Sequence, residues 1–515
     1  MRNGAVIEKK ARDIIRETCD VSVVCGHELF SELNSLQRGA TTLLNAGLFP
    51  VIREFLSAVR KALAARGIRP KRLVIMRSDG GLMSEDFAAL HPVETLLCGP
   101  AASAVGCMHM TDSSDSIMVD MGGTTTDIAL IREGRPVTFT EGVSIGKWKT
   151  FVNGLYIRTL GLGGDSAVHY KDGKLVLESR RVVPLCVAAC EYPCVLENLK
   201  KMPVRKHTRF LYEHYLLVRD ISGSPVYTEH EKKFCSVLRS GPLSIEEAAA
   251  AVGKDVYTLD VSRLLKDGVV LLCGLTPTDV MHLCGDFQKY CTEASGLGAQ
   301  WAAYNLDISV EELCRQVYDE VKRKLYLNIV IALLENKYPH YRKNGISPEL
   351  ERLIGEAYEE GRRGERDPLL TPMFHTTFSL VGVGGPAHVF IHDVARLLGT
   401  HAVVPENDTV ANALGAVLGS ISASCSVEIR PSMDVDGITG YTVFGSHEPR
   451  SFEDEEEAVA YAVKEAEAAA REEALRRGAA GEVKVTSRVC TSSTQAGAGA
   501  VYLGTVVTAC ADVSL

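Results

Sequence analysis

Apolar and polar positions switch repeatedly between a helical and a strand-like period along this chain, and the switches outline its elements. Residues 5–19 read as an amphipathic helix and 21–25 (VSVVC) as a short strand. Residues 41–66 repeat apolar positions at helical spacing and stop at Gly67. A strand at 72–76 is followed by a polar turn, Ser78-Asp79-Gly80-Gly81. Small residues from Gly99 to Gly106, opened by Pro100, predict a helix that another backbone can approach closely. Residues 131–183 read as mainly β, with turns at Glu133-Gly134 and Asp172-Gly173. Charged helices and turns fill 197–260, where Ser244 and the glutamates after it signal a helix start. A short strand at 269–273 and a long helix at 310–336 follow, and the polar, Gly- and Arg-rich stretch 355–367 reads as an exposed connection. Residues 378–384 predict a buried strand, 387–398 a helix, 401–405 a strand and 410–419 a second small-residue helix. The Ala/Glu/Lys/Arg-rich stretch 453–477 reads as a helix with a solvated face, flanked by β-like segments at 483–489 and 499–508. No tandem repeat of 20–50 residues is present.

The chemistry concentrates at residues 117–130, IMVDMGGTTTDIAL. A short apolar run ends at Asp120, Gly122 and Gly123 allow a tight turn, and Thr124, Thr125 and Thr126 offer amides and hydroxyls. Successive N–H groups in such a turn make an anion-binding concavity, and the adjacent Asp120 suits a hydrated Mg2+. A nucleotide phosphate site is one reading of these residues, and a glycine-rich β-hairpin is the other.

Composition narrows the classes. The 515 residues suggest two to four domains. A net charge of -9 without a basic stripe argues against nucleic-acid binding. The first residues lack a signal-peptide core and no apolar run of 18 residues stands out, so a cytoplasmic protein without a membrane span is expected. The 15 cysteines then read as reduced thiols. Cys186, Cys190 and Cys194 match no common zinc spacing, and Pro193 interrupts a helix there.

Four features stand in order: the small-residue helix at 99–106, the strand–Asp–Gly–Gly–Thr turn at 117–127, the strand and Gly turn at 378–387, and the small-residue helix at 410–419. This order resembles the actin, hexokinase and heat-shock-ATPase superfamily. Residues 73–106, VDMGGTTTDIAL, TLGLGGDS at 159–166, GLTPTD at 274–279 with His282 and Gly285, and VGVGGPAHVF at 381–390 look like the hydantoinase A / 5-oxoprolinase family. The resemblance covers residues 1–420, with 184–260 and the C-terminal tail matching less clearly.

The resemblance implies an α/β fold of the actin-like ATPase (ribonuclease H-like) class, with two lobes of mixed sheets flanked by helices. It divides the chain into a first-lobe remnant at 1–98, a core lobe at 99–420 with an insertion at about 184–310, and a C-terminal α+β region at 421–515. The implied activity is ATP- and Mg2+-dependent hydrolysis of a cyclic amide such as a hydantoin or 5-oxoproline, with ATP phosphorylating the amide oxygen. A hydantoinase B-type subunit is the implied partner, and self-association a second mode of assembly. Asp120 and Asp127 would be catalytic, with Asp120 holding Mg2+ through water or orienting the attacking oxygen. Gly122, Gly123, Thr124 and Thr125 would bind phosphate, and Gly382, Gly384 and Gly385 would lie against the adenosine.

Other positions stay open. Asp165 departs from the family's usual glycines, so Gly163, Gly164 and Asp165 suit either a substrate contact or a turn. Asp79 suits the same two roles. Asp279 and His282 would share a helix face, for metal binding or acid–base work, or for a helix cap beside a core histidine. Relatives begin with a separate Asp-x-Gly-Gly-Thr loop that does not precede residue 120 here, and Arg2-Asn3 looks like an internal segment of relatives. An incomplete first lobe with an exposed sheet edge is therefore expected. Two alternative functions follow: a non-catalytic nucleotide-binding regulator, or the activating subunit of an ATP-dependent ketone carboxylase.

Overall fold

The computed structural model describes residues 4–29, 34–139, 142–146, 148–364, 367–434, 437–445, 448–496 and 499–514. Arg2 and Asn3 lie outside the described residues. The chain divides into two compact units. One comprises residues 1–109, 136–156 and 411–515, and the other 110–135 and 157–410. The fold is α/β, with mixed sheets and flanking helices, of the actin-like ATPase class.

The first unit is assembled from three stretches of sequence. Its longest helix, Ser35–Ala65, starts at an Asn34 cap whose side chain accepts from the Gln37 amide. That helix is long and apolar enough to cross a membrane by length and composition, which the sequence reading overlooked. One face of it packs within the unit, where Asn45 donates to Leu90 O and accepts from the Val93 amide and Thr41 Oγ1 accepts from the Phe151 amide, while Leu43, Val51 and Phe55 are exposed. Strands Val74–Met76 and Leu82–Ser84 form a two-stranded sheet, and Ser84 caps the helix Glu85–Leu90.

The two small-residue helices, Cys98–Met110 and Ala411–Leu418, cross backbone against backbone in this unit. A Cβ on Gly106 would stand 1.9 Å from Ala411 O, and one on Gly415 would stand 1.9 Å from Ala102 O. The C-terminal five-stranded sheet runs in the order 450–452, 437–444, 420–434, 499–514, 484–496. Ala458, Ala462, Ala466, Ala470 and Ala474 are fully buried along one face of the helix Glu455–Arg476, in a core shared with Met76, Leu82 and Ala102. The sequence expectation of a solvated helix therefore holds for only part of its surface. Its alanine face is core, because an i, i+4 alanine stripe lets a helix settle close onto a sheet.

These contacts also divide the chain differently from the three segments read in the sequence. Residues 98–109 and everything from 411 onward group with residues 1–97 rather than with the central segment. The Gly106–Gly415 crossing and the shared core explain why.

The second unit is built on a central sheet ordered 157–160, 126–132, 116–121, 379–383, 402–403. Strands Ser116–Met121 and Ser379–Val383 are parallel neighbours and nearly all buried. Two tight turns anticipated in the sequence are present, with Glu133, Gly134, Asp172 and Gly173 all at positive φ. The Ser244 helix start closes into a full capping box with Glu247.

Two local expectations fail. Residues 21–25 are coil, with Val21 56% exposed and no neighbouring strand among the described residues to take up their backbone groups. Residues 355–363 belong to the helix Pro348–Arg363, capped by Ser347 and laced by pairs of Arg362 with Glu359 and Asp319. Residues 365 and 366 lie outside the described residues.

A buried histidine sets one pH dependence of this unit. His214 is fully buried, its Nδ1 donates to Tyr212 O, and its Nε2 has no partner. A carbonyl only accepts, so the ring is the neutral Nδ1–H tautomer. Burial depresses its pKa to about 4. The unfolded chain therefore binds a proton from pH about 6.5 downward that the folded chain takes up only near 4. The His214 contribution is complete above pH about 6.5 and is lost as pH falls toward 4, at up to about 1.4 kcal/mol per pH unit. Urea titrations of wild type and His214→Phe between pH 7 and 4 check this: the wild type's decline should be the steeper, and parallel profiles would refute the assignment.

Candidate functional site

Four loops of the second unit meet at the tip of one hairpin. Strands Ser116–Met121 and Thr126–Arg132 pair antiparallel, with Asp120 opposite Asp127 and Met121 opposite Thr126. The Gly122 amide donates to Thr125 O at 2.9 Å and closes the turn. The β-hairpin reading of VDMGGTTTD is therefore correct as geometry. It does not displace the anion-site reading, because Gly123 and Thr124 at the tip are exposed and can face a ligand.

The second loop leaves the parallel strand Ser379–Val383, whose Val383 is in register with Asp120. Gly384 then turns at φ +86°, and a Cβ there would stand 2.4 Å from Met121 O and 3.0 Å from Asp120 Oδ1. Only glycine serves, for conformation and for space. Gly385 is exposed, and His388 Nδ1 donates to its carbonyl at 2.8 Å. Gly382 lies inside the buried strand and packs on Ala387 and Ile391, so its lack of a side chain serves helix packing.

The third loop is TLGLGGDS. Gly164 N donates to Gly122 O at 3.0 Å, and Asp165 N to Gly123 O at 2.7 Å. A Cβ on Gly163 would stand 2.4 Å from Gly123 O. Thr126 Oγ1 donates to Leu162 O, tying the hairpin to this loop from its other end. The Asp165 carboxylate lies over Gly123, where an added Cβ would come within 2.7 Å of its Oδ2, and pairs with Arg181 at 3.1 Å. Burial raises the Asp165 pKa against the opposing pull of Arg181. Asp165 thus borders the phosphate-loop candidate, with a charge partner of its own.

The fourth loop starts the helix Pro277–Cys284. Thr278 donates through both N and Oγ1 to Gly164 O. Thr276 and Asp279 form its capping box, and Asp279 also accepts from the Leu185 and Cys186 amides and Ser295 Oγ. Asp279 and His282 are fully buried. His282 Nδ1 donates to Thr278 O and its Nε2 accepts from the Tyr290 amide, so both ring nitrogens are occupied. The capping alternative describes this pair; their polar atoms hold the loop rather than offering a metal or substrate ligand. Cys186 is buried while Cys190 and Cys194 are exposed, in two helices broken at Pro193. Asp79 belongs to the first unit, where its Oδ1 accepts from the Gly81 amide and its Oδ2 lies 3.0 Å from Arg77. It turns the chain and pairs with an arginine.

Opposed residues on antiparallel strands project to the same face, so Asp120 and Asp127 share one. Thr159 Oγ1 donates to Asp127 Oδ1. Burial first, and then the Asp120 charge, raise the Asp127 pKa, while the Thr159 hydrogen bond lowers it. Two mutually repelling carboxylates beside a glycine turn are a fitting donor set for a hard divalent cation. The sequence reading passed over Thr159 and His388. Both lie inside quoted blocks, but only strand pairing and the helix start bring them to Asp127 and Gly385.

Residues 38–189 match the family model described as Hydantoinase/oxoprolinase. The alpha subunit of caprolactamase from Pseudomonas jessenii is 31% identical over 170 residues, 32% of this chain and 24% of that protein. The 5-oxoprolinase of Saccharomyces cerevisiae is 29% identical over 174 residues, 32% of this chain and 13% of that protein. The acetophenone carboxylase gamma subunit of Aromatoleum aromaticum is 29% identical over 168 residues, 31% of this chain and 22% of that protein. Among solved structures, the ATP-dependent caprolactamase of Pseudomonas jessenii superposes with TM-score 0.53 at 16% identity, over 98% of this chain and 62% of that one. Nucleotide-free acetone carboxylase gives 0.52 at 14% identity, over 99% and 63%. The aligned segments span a quarter or less of these sequence relatives, and the superpositions span under two thirds of the solved chains.

Proposed function

From the hydantoinase/oxoprolinase segment at residues 38–189 and the loops around Asp120, we propose that this chain is the nucleotide-binding subunit of an ATP-dependent enzyme that opens a cyclic amide of the hydantoin or 5-oxoproline type. The observation that carries the reading is the convergence on one hairpin tip. Gly163 and Gly384 each stand so close to its backbone that any side chain would collide. Such close packing holds the exposed tip at Gly123 and Thr124 in place, as phosphate recognition by turn amides requires. Gly123, Thr124 and Thr125 are the proposed phosphate contacts, whereas the Gly122 amide is taken by Thr125 O and serves the turn; Asp120 with Asp127 is the proposed Mg2+ side. Mg2+ supplies neutralisation of the triphosphate. The amide oxygen attacks the γ-phosphorus and ADP leaves; one water then adds at the activated carbon and the ring nitrogen departs with a proton, leaving an acyl phosphate, which a second water cleaves to carboxylate and phosphate. Relatives named as subunits favour a second polypeptide, and a hydantoinase B-type subunit is the partner proposed.

Phosphate release from Mg-ATP, measured with hydantoins, lactams and 5-oxoproline and with or without a B-type subunit, tests the proposal. Substrate-stimulated release is expected, and its absence in every combination would overturn it. The carboxylase relatives favour one second reading, activation of a ketone by phosphorylation. ATP consumption that requires both bicarbonate and a ketone would select it. Nucleotide binding without turnover would select a regulatory role.

A further inference from the structure

In the first unit, Glu8, Cys25 and His27 bring one carboxylate, one thiol and one imidazole together, with their ligand atoms all within 4.8 Å of one another. Glu8 comes from the helix Gly4–Thr18, and Cys25 and His27 flank Gly26 at the start of the short helix Gly26–Leu29. Glu8 Oε2 accepts from the His27 amide at 2.9 Å and lies 2.8 Å from its Nδ1. The Cys25 thiol is buried and donates to Glu8 O at 3.7 Å. We infer that Glu8, Cys25 and His27 form a binding site for a zinc-class divalent cation, with solvent completing a tetrahedral set.

The donor chemistry selects the ion. A thiolate with an imidazole suits Zn2+ and is unsuited to Mg2+ or Ca2+, which take oxygen. The spacing fits as well. Tetrahedral Zn2+ with bonds of about 2.0–2.3 Å separates its ligands by about 3.3–3.7 Å, between the 2.8 Å Glu8–His27 contact and the 4.8 Å limit of the cluster. Glu8 is a third exposed at its side chain, so it can give the few tenths of an ångström required. Of the two arginines beside the cluster, Arg12 is paired with Glu28 at 2.6 Å and Asp13 at 3.2 Å, while Arg38 packs its stem against Gly26 and sets a positive charge near Glu8, with which the bound cation shares that carboxylate. His27, one of the three ligands, also lines a cavity of about 380 Å³ with Glu28, Arg77, His91 and Glu94.

Co2+ titration of the full chain, stripped with a chelator, tests the site. One Co2+ per chain is expected, with a near-ultraviolet thiolate-to-cobalt band and strong visible bands of a tetrahedral site, both abolished by added Zn2+. Cys25→Ser and His27→Gln should remove these features, whereas Cys19→Ser, at an exposed cysteine outside the cluster, should keep them. Glu8→Gln keeps the shape and the thiol but lowers Co2+ affinity by about tenfold or more, with circular dichroism confirming the fold. No thiolate band in the folded wild type, a band that survives Cys25→Ser, or unchanged affinity in Glu8→Gln would each overturn the inference. None of these readouts depends on turnover, so they stand apart from the cyclic-amidase reading.

Discussion

Asp120→Asn is expected to bind Mg-ADP about 100-fold more weakly than the wild type while its unfolding free energy stays within about 0.5 kcal/mol. The two readouts separate because one charge acts on both. In the protein, the Asp120 charge disfavours ionisation of Asp127, whose pKa burial has already raised. Asparagine keeps the shape and removes that repulsion, so the folded state loses little at neutral pH. On the proposed reading, the nucleotide complex loses one of the two opposed carboxylates assigned to Mg2+. Calorimetry with Mg-ADP and a parallel urea titration check the outcome. Affinity within about threefold of wild type would remove Asp120 from the site. Weaker binding accompanied by an equal loss of stability would make its role structural.

The second large effect concerns the helix crossing. Gly415→Ala should destabilise the first unit by about 3 kcal/mol, the upper range for overpacking, and lower its melting temperature by about 6–12 °C. The reason is reciprocal: Gly415 meets Ala102 O and Gly106 N, and Gly106 meets Ala411 O and Gly415 N, so the added methyl faces backbone rather than a side chain that could rotate away. Gly47→Ala is the control. Its Cβ would meet open space inside the helix Ser35–Ala65, and that change should stabilise by about 0.5–1 kcal/mol through helix propensity alone. Equal melting temperatures for the two variants would mean that the helices do not cross this closely in solution.

Much of the site could be read from residue patterns, for a local reason. A buried strand followed by glycines is recorded in consecutive residues, so 116–121, 379–383 and the turns after them were visible. So were Glu133-Gly134 and Asp172-Gly173, where positive φ demands such pairs. What pairing decides was hidden. Residues 21–25 have strand composition but no partner strand among the described residues, and 355–363 have loop composition but a Ser347 cap and ion pairs that make a helix. Alanine is ambiguous between core and surface, so the stripe of 458–474 could not be assigned before its sheet was known. Asp279 and His282 looked reactive because their spacing is chemically suggestive. The structure uses their polar atoms as scaffolding, and no spacing rule separates the two uses.

The interrupted first unit has a consequence for how the protein is made. Gly106 leaves the ribosome about 300 residues before Gly415, which at about 5–20 residues per second is a delay of about 15–60 s. The second unit is complete in the nascent chain by residue 410, while the early helices still lack the partners they will pack against. The small-residue face of 98–110 therefore emerges long before its cover, and this interval is when a chaperone has the most to protect and when truncated translation products are most exposed to aggregation.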